Sequence, residues 1–468
     1  MIKTRFAPSP TGQMHLGGGR TALFEYLFAR SAGGEFLLRI EDTDRARHSK
    51  KALQSIKESL AWLGLVPDNL ENPIVQSERL EIYKKAAQEL VGRGGAYVCT
   101  CSKERLEKIR KEQVVRGEAP HYDGHCRGKS EIRNPKSESI PAGAVIRQKI
   151  PTSGETKFKD LIRGEVEFKN SELDDQVLLK SDGFPTYHLA SIVDDHEMGI
   201  THVIRGEEWL PSTPKHLLLY QAFGWKAPEF AHLPVILGPN KGKLSKREGA
   251  VSILEYRRGG YLPEAVINFL ALLGWNPKTN EEFFTLKELE KKFDLAQVNK
   301  APAAFNREKL DFFNRHYLQL APAKKLLPLL DGEIVKKLPE GTAEKAVELA
   351  KERMTTLNDF ASCVGFLLEK PHLDGAKIIF RKSTSEKTKA ALAESTEALS
   401  RLSDWNADKI KAALEKLVAG GKFSAGDVFW SVRYALTGEE KSPPPEQIAE
   451  ILERSEVIKR LNAAAKIL

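Results

Sequence analysis

The sequence predicts an α/β front half followed by an all-α back half. Three observations carry this. An early strand–helix–strand rhythm runs from Ile2 to Glu41, short strands and turns follow from about residue 95, and nearly every segment after about residue 260 has apolar residues at helical spacing.

Residues 2–8 (IKTRFAP) and 35–41 (EFLLRIE) read as strands. The segment His15 to Arg30 between them has the pattern of an amphipathic helix, stopped by Gly33 and Gly34. Such a βαβ unit implies a parallel sheet. A helix over Lys50 to Leu63 places Leu53, Ile56, Leu60 and Leu63 on one face. GAYVCTC, AVIRQKI, GEVEFK and DQVLLKSDGFPTYHLA then read as strands and turns, with Ser181-Asp182-Gly183 as a hairpin turn. This stretch, about residues 95–190, has the character of an insertion in the first domain. HVIR (202–205) and HLPVIL (232–237) return to the strand–helix rhythm and complete the sheet. Beyond about residue 260, EAVINFLALLGW, AEKAVELAKERMTTLNDFASCVGFLLEK, DKIKAALEKLV and EQIAEILERSEVIKRLNAAAKI are helical, punctuated by VAGGKF and SPPPEQ.

A chain of 468 residues is long enough for several cores, and 41% hydrophobic with 29% charged residues excludes wholesale disorder. The excess of 72 Lys and Arg over 64 Asp and Glu gives a net charge of +8, which suits a polyanionic partner without proving one. No apolar run approaches the ~18 residues of a membrane span, and MIKTRFAPSP lacks the layout of a signal peptide. An intracellular, cytoplasmic protein without a membrane partner is expected. In that reducing compartment the four cysteines, Cys99, Cys101, Cys126 and Cys363, are not expected to pair as disulfides.

Two segments carry the signs of phosphate chemistry. In SPTGQMHLGGGRTALFEYLFAR (9–30), His15 precedes three glycines at the start of the helix, where backbone can approach a ligand and unpaired N–H groups attract phosphate. The spacing matches neither GxGxxG nor GK[ST], so neither the dinucleotide fingerprint nor the Walker loop is present. In GPNKGKLSKREGA (238–250), Lys243 and Lys246 lie in a turn-rich cationic loop of a kind that can close over a polyphosphate. A third cluster combines Cys99-x-Cys101 and Cys126 with Tyr122, His121 and His125 as candidate fourth ligands. Three thiolates plus one N or O ligand make a closed structural zinc site, while buried free thiols are the alternative. Cys363 reads as core.

HLGG (15–18) and KLSKR (243–247) together resemble the HIGH and KMSKS signatures of class I aminoacyl-tRNA synthetases. RFAPSPTG, RIEDTD (39–44), YHLASIVDDH (187–196) and VIRGEEWL (203–210) are similar to the glutamyl branch of that family, bacterial type. The resemblance covers almost the whole chain. It implies a Rossmann-like class I catalytic domain over 1–322, with an acceptor-binding α+β module inserted at about 95–190 and a helical stem-contact region at about 245–322. An all-α anticodon-binding domain over 323–468 would follow.

The implied reaction activates L-glutamate with ATP and Mg²⁺ and transfers it to the 3′ end of tRNA(Glu), with tRNA helping to assemble the activation site. Charging of tRNA(Gln) as well is the alternative, and a monomer is expected. By the same resemblance, His15, Gly17, Glu208, Trp209, Lys243, Ser245 and Lys246 hold ATP, with His15, Lys243 and Lys246 acting on the reacting phosphates. Arg5, Ala7, Ser9, Glu41, Tyr187 and Arg205 form the glutamate pocket. Arg5 and Arg205 suit a side-chain carboxylate and Glu41 suits the α-ammonium. Arg205 argues against the glutamine branch, whose neutral amide needs no second positive charge. Ser191 stands where several relatives have Asn. Zinc-binding members of the family use Cys-x-Cys, a Tyr and a Cys four residues after it, a pattern that Cys99, Cys101, Tyr122 and Cys126 fit. Arg353 matches an arginine implicated in reading the third anticodon base, and an exposed helix arginine is the alternative.

Overall fold

The structure is a computed structural model that describes residues 1–44, 49–129, 141, 143–238, 240–242, 244 and 252–468. Lys243, Ser245 and Lys246 therefore lie outside the described residues. The chain divides into two compact units, Met1–Arg258 with Pro263–Leu310, and Gly259–Leu262 with Asp311–Leu468.

The first unit opens with β1 (Lys3–Phe6), α1 (Leu16–Ser31) and β2 (Glu35–Ile40), followed by α2 (Lys50–Trp62), β3 (Ile74–Val75) and α3 (Leu80–Gly92). β1 pairs with β2 in parallel, from Lys3 opposite Glu35 to Phe6 opposite Leu38, and β2 pairs with β3 in parallel. The glycines that stop α1 each have a job. Gly33 takes a φ of +61°, and a Cβ on Gly34 would stand 2.2 Å from the Ile2 carbonyl oxygen.

α1 departs from the amphipathic expectation. Leu16, Ala22, Leu23, Phe24, Leu27 and Ala29 are all buried, because the sheet covers one side of α1 and two later helices cover the other. Phe24 packs on Phe293 with ring centroids 5.1 Å apart, and a Cβ on Gly19 would meet Ile253 Cδ1 at 2.8 Å.

The inserted module holds β4 (Ala96–Cys99), α4 (Lys103–Val115) and β5 (Val145–Gln148). It is followed by the hairpin β6 (Glu155–Asp160) and β7 (Gly164–Lys169), then β8 (Val177–Leu179). β4, β5 and β8 form an antiparallel sheet, whereas β6 pairs with the main sheet through Asp160 opposite Phe230. The Ser181–Gly183 turn forms, with Gly183 at a φ of +81° and Lys180 N–H donating to the Phe184 carbonyl at 2.9 Å. The strand read through TYHLA does not: after Pro185 the chain turns helical and Tyr187 heads α5 (Tyr187–Glu197).

The chain then returns through β9 (His202–Gly206), α6 (Thr213–Phe223) and β10 (Glu229–Leu233), with β9 and β10 parallel in register from His202 opposite Glu229. Thr201 N–H donates to the Lys3 carbonyl at 3.0 Å, and Lys3 N–H donates to Thr201 Oγ1 at 2.9 Å, so β9 runs beside β1. The sheet β1-β2-β3 and the sheet holding β9 and β10 thus meet edge to edge at β1 and β9. The chain leaves β1 to one side and comes back on the other, and a ligand crevice opens at such a switch point, outside the carboxyl ends of the strands.

The second unit contains no strand among its described residues. Its core is built from helical apolar stripes, including Val347, Phe360, Leu392, Ile410, Val432 and Leu461, with Cys363 buried among them as expected.

Candidate active site

A cavity of about 530 Å³ lies at the switch point between β1 and β9, and its lining gathers most of the residues singled out from the sequence. Arg5, Ala7, Ser9, Glu41, Tyr187 and Arg205 line it, and so do His15, Gly17, Glu208 and Trp209. Ser191 does not, being buried within α5.

His15 is the N-cap of α1. Its Nδ1 accepts the Gly18 N–H at 3.1 Å, which satisfies one of the helix's unpaired donors. With Nδ1 accepting, a neutral ring carries its proton on Nε2 and can donate there to a phosphate oxygen. A Cβ on Gly17 would sit 3.1 Å from the His15 ring, so this glycine lets the imidazole fold over the helix start. Gly17 and Gly19 thus have separate duties, Gly17 toward His15 and Gly19 toward Ile253. Glu208 folds back over Gly206 in the same way, at a distance where a Cβ would be only 2.2 Å from its Oε2.

Arg205 is 7% exposed, and every hydrogen-bond partner it has among the described residues is neutral. Nη1 donates to Tyr187 Oη at 3.0 Å and meets His216 Nδ1 at 3.3 Å, while Nη2 donates to Thr213 Oγ1 at 2.9 Å and to the Trp209 carbonyl at 3.4 Å. Nε donates to His232 Nε2 at 3.1 Å, and His232 Nδ1 in turn faces Asp160 Oδ2 at 2.6 Å. Asp160 thereby fixes the histidine tautomer that can accept from Arg205. Burial pushes His216 and His232 below the ordinary imidazole range and His188 down to about 4, so all three stand neutral around the guanidinium. A buried cation with no carboxylate beside it is costly unless an anionic ligand completes it.

Arg5 is different. Its Nε bonds Asp195 at 2.9 Å and its Nη1 lies 3.4 Å from Glu25. Arg39, fully buried, reaches the same Asp195 oxygen at 2.5 Å and Glu41 Oε1 at 3.0 Å. Burial raises the Glu41 carboxyl, although Arg39 and Arg5 pull against it. Neighbouring Asp194 is held by Gln76, Arg79 and Tyr83. Sequence reasoning gave no role to Glu25, Arg39, Asp160, Asp195 or His232. Arg39 and Asp195 stand inside RIEDTD and YHLASIVDDH without having been singled out, and for Glu25 the signal was a charge set among apolar neighbours in ALFEYLF.

In the inserted module the Cys99, Cys101 and Cys126 sulfurs lie within 4.8 Å of one another. Tyr122 Oη is 3.3 Å from Cys99 Sγ and 3.5 Å from Cys101 Sγ, and it accepts the Cys126 N–H at 3.0 Å. His121 and His125 face Gln113 and Lys129 instead. Burial opposes the Cys126 thiolate, but hydrogen bonds from the Thr100 backbone, Tyr122 and the other thiols outweigh it and set this thiol at about 7. The soft, converging donor set fits a tetrahedral zinc. In the second unit, Arg353 is tied down by Glu439 at 3.2 Å and by the carbonyls of Cys363 and Lys441.

Comparison with known proteins assigns this architecture. The family model for class I tRNA synthetases (E and Q), catalytic domain, matches residues 1–312, and an anticodon binding domain model matches 320–465. A glutamate–tRNA ligase of Dehalococcoides mccartyi is 46% identical, over 99% of this chain and 97% of the relative. The chain belongs to the glutamate–tRNA ligase family of class I synthetases. Another family member, from Treponema denticola, is 44% identical over 99% of both chains. The crystal structure of a glutamate–tRNA ligase from Elizabethkingia meningosepticum, in complex with its amino acid, superposes with a TM-score of 0.88 at 40% identity. It covers 100% of this chain and 99% of its own. The chain is thus a ligase of the glutamate–tRNA ligase family, with a class I catalytic domain followed by a helical anticodon-binding domain. Among the described residues no helix is long and apolar enough to cross a membrane.

Proposed function

We propose that this glutamate–tRNA ligase selects and activates its amino acid in the cavity between β1 and β9. The observation that carries the reading is Arg205, a buried guanidinium whose partners among the described residues are all neutral, beside an Arg5 already shared with two carboxylates. Arg205 grips the side-chain carboxylate of L-glutamate through its planar fork, and Tyr187 and Arg5 complete that grip. Glu41 receives the α-ammonium, and Ala7 and Ser9 line the path between the two ends.

ATP lies against Gly17, Glu208 and Trp209, with Mg²⁺ entering on its phosphates, and His15 donates from Nε2 to the reacting phosphate. The glutamate α-carboxylate attacks the α-phosphorus in line, the bond to pyrophosphate breaks, and glutamyl-adenylate forms. Lys243 and Lys246 offset the charge on the departing pyrophosphate, and Ser245 is a further ATP contact. A terminal ribose hydroxyl of tRNA then attacks the glutamyl carbonyl, loses its proton and releases AMP. Positioning and charge stabilisation supply the catalysis, and no protein nucleophile is needed.

Cys99, Cys101, Tyr122 and Cys126 would hold a zinc ion that stiffens the acceptor-binding module and takes no part in the chemistry. The enzyme works in the cytoplasm as a monomer. Arg353, with its ion pair to Glu439 opened, is the proposed contact to the third anticodon base. The test is charging of tRNA(Glu) and of tRNA(Gln) by the purified chain with ATP and labelled glutamate. Loading of tRNA(Glu) supports the reading, loading of both would add the non-discriminating activity, and loading of neither would refute it.

A further inference from the structure

Glu25 is a charge in the middle of an apolar helix, and no step described above uses it. It sits on α1, 1% exposed, and lines the cavity. Its Oε1 shares Arg5 with Asp195, at 3.4 Å. Its Oε2 is buried and has no hydrogen-bond partner among the described residues. An ionised carboxylate with such an orphaned oxygen is costly.

The local charge balance makes the problem sharper. The groups facing Glu25 are Arg5 from β1, Arg39 and Glu41 from β2 and its end, and Asp195 from α5. That is two guanidinium groups against three carboxylates once Glu25 is included. An acidic amino acid seated at Arg5 and Arg205 brings one more carboxylate to the same buried region. It competes with Glu25 for Arg5, and among the described residues Glu25 is the one of these carboxyls with a fully buried oxygen that has no partner.

We propose that Glu25 takes up a proton from solvent, on Oε2, when the side-chain carboxylate of the substrate binds at Arg5. Protonation ends the competition between Glu25 and the substrate carboxylate for Arg5 and turns an orphaned acceptor into a donor. Burial already raises the Glu25 carboxyl well above its ordinary range, with Asp195 and Glu41 adding to this and Arg5 and Arg39 opposing it. The proposal rests on the reading of Arg5 and Arg205 as the carboxylate-binding pair.

The sign follows from linkage. If binding takes up a proton, the KM for glutamate rises with pH wherever free Glu25 is ionised, by at most about tenfold per pH unit. The experiment measures that KM in charging of tRNA(Glu) between about pH 6 and about pH 8, above the ordinary carboxylate range. Wild type is compared with Glu25→Gln, which keeps the shape and cannot titrate. The expected result is a KM that climbs with pH in wild type and stays level in the variant. Equal pH dependence in both would overturn the proposal.

Calorimetry of glutamate binding to the wild-type complex with tRNA(Glu), in two buffers of different ionisation enthalpy, counts protons directly and needs no variant. Uptake approaching one proton per glutamate is expected, and no uptake overturns the proposal. An Arg205→Ala control separates the two layers. An unchanged glutamate KM in that variant refutes the carboxylate-binding pair itself, and a raised KM with no proton uptake in wild type refutes only the role of Glu25.

Discussion

Replacing Arg205 by alanine removes a buried cation of the pocket that no carboxylate contacts among the described residues, and the size of the effect can be worked from its surroundings. Breaking a buried, hydrogen-bonded charge pair on one side costs about 3–5 kcal/mol, because the remaining charge is left unpaired. Arg5 stays within the cavity but is committed to Asp195 and Glu25, so it can relieve only part of that loss. The lower end, about 3 kcal/mol, therefore applies. At 1.4 kcal/mol per factor of ten this is about a hundredfold loss in kcat/KM for glutamate. Glutamine, whose amide has no charge to leave unpaired, should lose far less. The KM for ATP should stay near the wild-type value, since the adenosine side of the cavity is lined by other residues. Arg205→Lys should recover only part of the loss, because a point charge cannot reproduce a fork that reaches Tyr187, Thr213 and His232 at once. The assay is steady-state charging with each amino acid, with thermal unfolding to confirm folding. Unchanged glutamate kinetics in a folded Arg205→Ala protein would refute the assignment.

Three further outcomes are expected. His188, held at about 4, and His216 and His232, also depressed by burial, bind fewer protons folded than unfolded, where an imidazole titrates near about 6.5. Stability should therefore fall as pH drops through that value, and a Tm that is level across this window would contradict the buried neutral cluster. Metal analysis of the purified chain should find zinc, and Cys126→Ser should lose it; equal zinc content in the two proteins would rule out the ligand set. Glutamate-dependent ATP–pyrophosphate exchange should require tRNA(Glu), and robust exchange with glutamate alone would remove the tRNA dependence of activation.

The legible part of this molecule was the part written in short-range pattern and in motif. β1, β2 and β9 announce themselves as short apolar runs, and the Gly33-Gly34 stop is local chemistry, whereas the run read over 232–237 breaks at Pro234, with only His232 and Leu233 in β10. The burial of α1 on nearly every side was not legible, because its covering helices come from more than two hundred residues later in the chain. TYHLA was misread because a strand and a helix share its apolar spacing, and only the turn at Pro185 decides between them. Arg5, Glu41, Tyr187 and Arg205 could be named because they stand in quoted motifs, and the structure brings them to one cavity. The residues that set their charge and orientation could not be named. Asp160 reaches Arg205 only through His232, 72 residues away, and Asp195 meets Arg5 across 190 residues. Periodicity carries no trace of such pairings.

The central claim is that an uncompensated guanidinium at the switch point selects a carboxylate side chain. Its most direct test is the ratio of kcat/KM for glutamate and glutamine in charging of tRNA(Glu) by the wild-type chain. A site built around a specific buried polar contact rejects the analogue lacking its partner by about 10⁴ or more, and a preference of that order for glutamate is the result expected. Comparable efficiencies for the two amino acids would contradict it.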